Sequence, residues 1–454
     1  MTAGAKPATP GAARDAALPG ARSALTLLLL INLFNYIDRQ VLAAVVPHLR
    51  HTFFGAHHDY TPEFTNFLNW FQHAFGFKPE NALIGLLSMA FMISYMIAAP
   101  IFGRLAEHRS RWMLIGVGVL LWSLASGATG LATTFTILLI TRCMVGIGEA
   151  AYGPIAPTVI SDFYPVNIRG RVLAWFYMAI PVGSALGYVL GEQVSHQLGW
   201  RWAFYIVVLP GILLGLWALF KRDPQRGQAD EGTQMPQRVR WKDYLILART
   251  PSYVLNTLGM AAMTFAIGGI GFWMADYVKE FRGVSGQTTT IFGGLLTVAG
   301  LAATLLGGIA GDKLRKRFSG SYFLVSAIAM FAGFPLFLAM LYVPFPLAWV
   351  FVFFACFCLF FNTGPTNTII ANVTHPAIRA TAFAVNIFVI HALGDVISPV
   401  VIGIISDKYN MNTAFLVVGG MFLLSGILWA LGARHLARDT ELASARLESR
   451  ASTP

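Results

Sequence analysis

Apolar runs long enough to cross a bilayer alternate with short polar stretches along almost the whole chain. A membrane-spanning helix needs about 20 mostly apolar residues. Twelve segments meet that condition: 24–46, 82–103, 112–131, 134–160, 171–194, 202–220, 252–278, 288–311, 321–342, 346–372, 380–405 and 412–433. The first carries Asn35, Asp38 and Arg39, lacks a small-residue cleavage site and is too long for a signal peptide, so it reads as a span. The pattern predicts an all-α integral membrane protein.

Between the spans, residues 1–22 are rich in Ala, Pro and Gly and read as a disordered tail, with a second tail over 436–454. Residues 221–249 form a basic link that divides a six-helix half at 23–220 from another at 250–435. The loop 47–81 holds Phe64, Phe67, Leu68, Phe71 and Phe75 at helical spacing beside Trp70. That stretch predicts an amphipathic helix, lying either in the outer interface or over the outer mouth.

Composition sharpens this picture. Only 12% of the 454 residues are charged, against roughly a quarter in soluble domains. The net charge of +11 would suit nucleic acid, but the basic residues cluster in short loops, where orientation explains them. With both termini inside, 24 Lys and Arg face the cytoplasm, 6 face outward, and Arg39 and Arg142 lie within spans. Cys143, Cys356 and Cys358 fall inside apolar runs and read as packing residues.

The halves echo each other. Gly103 to Glu107, followed by Arg109 and Arg111, closes the second span, and Gly308 to Asp312, followed by Lys313, Arg315 and Arg317, closes the eighth. Glu107 and Asp312 are 205 residues apart, and Pro165 and Pro376, each leading into a span, are 211 apart. Duplicated halves of this kind place a solute site at their interface near the middle of the membrane. The stretch Gly103–Arg111 resembles the signature loop of the major facilitator superfamily, with Glu107 where that motif has Asp and Ser110 where it has Gly. Four further stretches resemble the spinster family within it. They are Asn35-Tyr-Ile-Asp-Arg39, Gly146 to Tyr152 through Thr158, Phe176 to Gly187, and His391 to Pro399 through Asp407. The resemblance implies a transporter of lysolipids or sphingoid phosphates with the major facilitator fold and an inner gate at the signature loops.

An ionisable residue inside a span is costly and marks function. Asp38 and Arg142 fall at one depth, roughly 12 Å below the outer end by helical rise, so they are expected to pair. Arg39 points about 100° away from Asp38, towards another neighbour or outward. Glu149 lies two turns beyond Arg142 on the same face. Asp38 and Glu149 are proton-coupling candidates, because opening the cavity rehydrates a buried acid. Arg142 is a candidate for holding an anionic head group, with Arg39 a further substrate contact, while Tyr36 and Tyr152 are candidates to line the apolar part of the site or to pack between helices. The plainer alternative is a salt bridge that only fixes packing.

In the second half, Asn362 and Asn367 are candidate substrate contacts. His391 and Asp395 are one turn apart and form a second proton-sensing candidate, or a packing pair. Gly394 and Pro399 are expected to kink that helix. At the cytoplasmic ends, Glu107, Arg109, Arg111, Asp162, Arg169, Arg171, Asp312 and Arg379 read as gate ion pairs, and Asp407 and Lys408 as outer interface anchors.

No phosphate-cradling Gly-rich motif, metal-ligand spacing or nucleophilic triad is present, so neither ATP-driven transport, enzyme catalysis, a metal nor a cofactor is expected. The expectation is a proton-coupled secondary transporter of an amphipathic anionic lipid, monomeric, in a bacterial inner membrane, with no nucleic acid partner. A symporter of small organic anions such as sugar acids is the alternative, and a membrane sensor without transport is a third.

Overall fold

The computed structural model describes residues 17–54, 62–106, 108–225, 245–374 and 376–451. The described residues form helices and no strands. The first half contains α1 (Ala21–Phe54), α2 (Pro62–Phe75), α3 (Glu80–Leu105), α4 (Arg111–Gly130), α5 (Phe135–Ala150), α6 (Ala156–Phe163), α7 (Val166–Leu198) and α8 (Trp200–Leu219). After the short α9 (Leu245–Ala248) come α10 (Pro251–Asp276), α11 (Thr288–Arg315), α12 (Ser321–Tyr342), α13 (Ala348–Phe360), α14 (Thr363–Val373), α15 (Pro376–Ile390), α16 (Ser398–Lys408), α17 (Met411–Gly432) and α18 (Leu436–Ala451).

Ten of the described helical segments are long and apolar enough to cross a membrane. They coincide with ten of the twelve predicted spans. The fourth predicted span is broken into α5 and α6, and the fifth is α7, which carries Trp, Tyr, Pro, Gly and Ser among its apolar residues. The break at 151–155 contains Gly153 and Pro154; proline lacks the N–H and clashes with the preceding turn. The eleventh predicted span bends where expected. A π-helical turn at His391–Asp395 joins α15 to the Pro399-bearing α16, and Gly394 leaves helical geometry at φ −108°, ψ −106°.

Helices in lipid associate through small residues that let backbones approach. The α1–α7 pair shows this. A Cβ at Gly183, Gly187 or Gly191 would lie 2.6, 2.6 or 2.5 Å from Leu33 O, Ile37 O or Ala44 Cβ. This four-residue stripe sets the rotation of α1 and hence the direction of its charges. The pairings also recur along the chain: α4 packs on α8 as α12 packs on α17, and α3 on α5 as α11 on α13. Across the halves, α3 packs on α16 and α7 on α11.

Outside the bundle, α2 buries Leu68, and Phe64 stacks on Phe135 at 6.0 Å. Phe67, Trp70 and Phe75 stay exposed. Of the tail expected over 1–22, residues 1–16 lie outside the described residues, and Leu18 N donates to Phe163 O at 3.0 Å. The C-terminal tail begins as α18, where buried Asp439 accepts from Ser252 N at 2.9 Å. Most of the predicted link 221–249, residues 226–244, lies outside the described residues.

Candidate functional site

A cavity of about 300 Å³ lies between the halves, lined on one side by Tyr36, Arg39 and Arg142 and on the other by His391 and Asp395. The α7 glycine stripe turns α1 so that Tyr36 and Arg39 face this space. Asp38, on the next face, is 1% exposed and points into the first half.

The charges pair differently from the expectation. Arg39 Nε donates to Glu149 Oε2 at 2.7 Å, with the Glu149 side chain fully buried. Asp38 accepts instead from Ser126 Oγ on α4, and its Oδ2 has no hydrogen-bond partner. Asp38 and Arg142 therefore form no direct ion pair. Rotation about the helix axis decides partners, and the α1–α7 contact sets it.

Arg142 is 1% exposed, and its Nε and Nη1 have no hydrogen-bond partner. A buried guanidinium without an acceptor is costly, so its place on the cavity wall gives it the character of an anion site. Phe91 on α3 separates the two arginines: its ring centroid lies 5.1 Å from Arg39 Cζ and 5.3 Å from Arg142 Cζ. Tyr36 and Tyr95 complete the surround of Arg39 at 5.0 and 5.4 Å. Sequence reasoning missed Phe91 and Tyr95; their (i, i+4) spacing in a largely aliphatic span was the available signal.

Across the cavity, His391 Nδ1 lies 2.9 Å from Asp395 Oδ1, with side chains 33% and 25% exposed. The expected pair therefore forms and meets solvent. Its closeness to α10 depends on Gly268, where a Cβ would meet Asp395 Cβ at 2.5 Å. Ile267, Phe272, Leu296 and Leu359 make much of the remaining wall apolar.

Three candidates sit elsewhere. The Tyr152 ring packs edge-on to Trp122 and its hydroxyl donates to Leu28 O at 2.7 Å, inside the first half. Asn362 Nδ2 donates to Cys358 O at 2.9 Å, and Asn367 Nδ2 to Thr363 O at 2.7 Å. Neither asparagine lines the cavity. Near the α13–α14 break these side chains satisfy their own helices' carbonyls.

Of the inner gate residues, Arg111 Nη1 meets Asp162 Oδ2 at 2.5 Å, and Nε meets Asp223 Oδ1 at 3.0 Å. Asp223, absent from the sequence reading, ties the segment after α8 to α4, so this pair binds the first half to itself. Asp312 accepts from Tyr322 Oη at 2.8 Å, and Arg379 Nη2 donates to Thr374 O at 3.4 Å. Arg109 is exposed in the turn between α3 and α4. Glu107 and the side chains of Arg169 and Arg171 lie outside the described residues. Opposite this end, Arg50 on α1 pairs with fully buried Asp276 on α10. Asp407, expected as an interface anchor, instead bonds to the start of α3.

Residues 28–394 match the family model described as Major Facilitator Superfamily. The sphingosine-1-phosphate transporter SPNS2 of Danio rerio is 31% identical over 472 residues, covering 94% of this chain and 89% of that protein. Protein spinster homolog 1 of Homo sapiens is 33% identical over 427 residues, covering 88% and 76%. Among solved structures, a bacterial homolog to the human lysosomal transporter Spinster, inward-facing and unoccupied, superposes with TM-score 0.74 at 20% identity, over 95% of this chain and 99% of that one. A D-xylose-proton symporter superposes with TM-score 0.68 at 18% identity, over 90% and 97%. These last two likenesses are of fold.

Proposed function

The chain belongs to the Major Facilitator Superfamily and within it to the spinster family of transporters, and from that premise we propose that it carries an amphipathic anion across a bilayer by alternating access, coupled to protons. The observation that carries this reading is Arg142: a buried guanidinium on the cavity wall, with Nε and Nη1 unpartnered. A planar fork of this kind suits a phosphate or carboxylate. Arg39 is already bound to Glu149, so it serves as a supporting charge rather than the main ligand.

Beside His391, Asp395, Ser88 and Ser184, the apolar part of the cavity wall supports an amphipathic substrate over a small polar one. Ile267, Phe272, Leu296 and Leu359 offer no hydrogen bonds to a sugar acid's hydroxyls, and buried hydroxyls without partners are unfavourable. An alkyl chain suits that wall. SPNS2, among the relatives, is named for sphingosine 1-phosphate. A lysolipid or sphingoid phosphate is the class proposed for this chain.

Proton coupling rests on Asp38, Glu149, His391 and Asp395. Asp38 and Glu149 are sealed within the first half, while His391 and Asp395 face the solvated cavity. The arrangement favours an outwardly sealed state, since the partners of Arg50, Asp276 and Asp407 close the end that the charge bias assigns to the outside. Twelve spans with both termini inside, in a bacterial inner membrane, complete the proposal. A thermal-shift screen of purified protein against lysolipids, sphingoid phosphates and sugar acids at two pH values tests it, because real ligands stabilise the folded state by mass action. Stabilisation by the amphipathic phosphates is expected; stabilisation by sugar acids alone contradicts it.

A further inference from the structure

Two carboxylates close the outer end in the same way, one from each half. Asp407, at the end of α16, accepts from Asn81 N at 2.9 Å and Ala82 N at 2.8 Å, the first turn of α3. Glu192, near the end of α7, accepts from Thr289 N at 3.3 Å and Thr290 N at 2.7 Å, the first turn of α11. The first N–H groups of a helix have no partner inside it, and the helix dipole favours negative charge there. Neither α3 nor α11 has a side-chain cap of its own. Each takes its cap from the opposite half.

The two capped helices share a spacing. Four residues after the first capped residue comes a glycine, Gly85 on α3 and Gly293 on α11. A Cβ at Gly85 would lie 2.4 Å from Pro399 O, and one at Gly293 would lie 2.8 Å from Tyr188 Cβ. The glycines bring the helices close enough for a carboxylate to reach the neighbour's end. Gly85 and Gly293 are 208 residues apart, and Glu192 and Asp407 are 215 apart, close to the spacing of the duplicated gate loops. Glu192 is also held by Lys279 Nζ at 2.6 Å, which ties the π-helical turn after α10, Tyr277–Phe281, to the same point.

We propose that Glu192 and Asp407 are a duplicated pair of outer latches, each a carboxylate of one half clasping a helix start of the other, and that both must release for the outer side to open. This rests on the alternating-access reading. The caps are satisfied only while the halves touch; on opening, water takes their place. Charge-assisted hydrogen bonds are among the stronger ones, so losing one latch moves the balance measurably towards the outward-open form.

The test uses the full chain with Cys143, Cys356 and Cys358 replaced by alanine and Ser88→Cys as reporter on the cavity wall. A membrane-impermeant maleimide is applied to intact cells and, separately, to inverted vesicles. Glu192→Gln and Asp407→Asn are each expected to raise outside labelling about ten-fold, and the double variant to raise it further while inside labelling falls. Ala82→Pro and Thr290→Pro, which remove a donor where proline is tolerated, should act in the same direction without altering charge. Gly85→Leu, a wedge against Pro399, is the reference for outer opening. If the wedge raises outside labelling and none of the latch variants does, the latches are refuted and alternating access stands. If neither the wedge nor the latch variants change sidedness, both readings fall.

Discussion

Arg39 Nε lies 2.7 Å from Glu149 Oε2, and this one contact divides the buried charges of the first half. Glu149 is spent on Arg39, Asp38 on Ser126, and Arg142 is left facing the cavity with donors to offer. Pairing and vacancy are thus set by the same helix rotation.

The Arg39–Glu149 pair should be strongly coupled. Removing one partner of a buried pair costs about 3–5 kcal/mol, and the Arg39 side chain is 21% exposed, so a value near the lower end is expected for Glu149→Gln. Arg39→Met combined with Glu149→Leu should be more stable than either single change. Thermal unfolding in detergent measures the cycle, and additive effects would remove the coupling.

Arg142→Lys should weaken binding of an amphipathic phosphate by ten-fold or more. Lysine keeps the charge but loses the planar fork. Because Arg142 makes no internal ion pair, the same change should leave thermal stability nearly unaltered. Calorimetric titration against a lysolipid phosphate, beside a melting curve, separates the two effects; an unchanged affinity takes Arg142 out of the site.

Asp38→Asn should leave substrate binding intact and abolish the response of uptake to a pH gradient. Its Oδ2 is unpartnered within the first half, where protonation removes a buried charge. Uptake measured at equal and unequal pH on the two sides checks this, and a variant still driven by the gradient would shift the coupling role to Glu149, His391 or Asp395.

Gly307→Ala should destabilise by about 1–3 kcal/mol, the usual cost of overpacking. A Cβ there would lie 1.8 Å from Phe361 O, a backbone atom with little freedom to yield. A melting temperature equal to that of the unsubstituted protein would show that the contact of α11 with the break between α13 and α14 is looser than described.

Much of the architecture was legible because apolar length and loop charge are local properties of a chain in lipid. Ten of the spans, the bend at Gly394 and the His391–Asp395 pair all follow from short-range spacing. The break at 151–155 was also local, carried by Gly153 and Pro154, yet a continuous apolar run hid it. What spacing cannot supply is rotation. The α7 glycines decide that Arg39 meets Glu149 and that Asp38 turns to Ser126 rather than Arg142, and no property of α1 alone contains that choice. The outer contacts of Asp407 and Glu192 join residues far apart in sequence, so Asp407 reads from sequence as an interface anchor and Glu192 carries no local signal. Asn362 and Asn367 misled for the opposite reason: their polarity serves their own helix at a break.

The central claim is that the Arg142 cavity moves an amphipathic anion with protons. Proteoliposomes with an imposed pH gradient, loaded with the unsubstituted protein or Arg142→Lys, test it most directly with a labelled sphingoid phosphate. The account predicts saturable, gradient-stimulated flux that lysolipids compete for and that Arg142→Lys slows about ten-fold, the size of effect expected from losing one charged hydrogen bond. Flux no greater than in protein-free liposomes, or transport of sugar acids that lysolipids leave untouched, would contradict it.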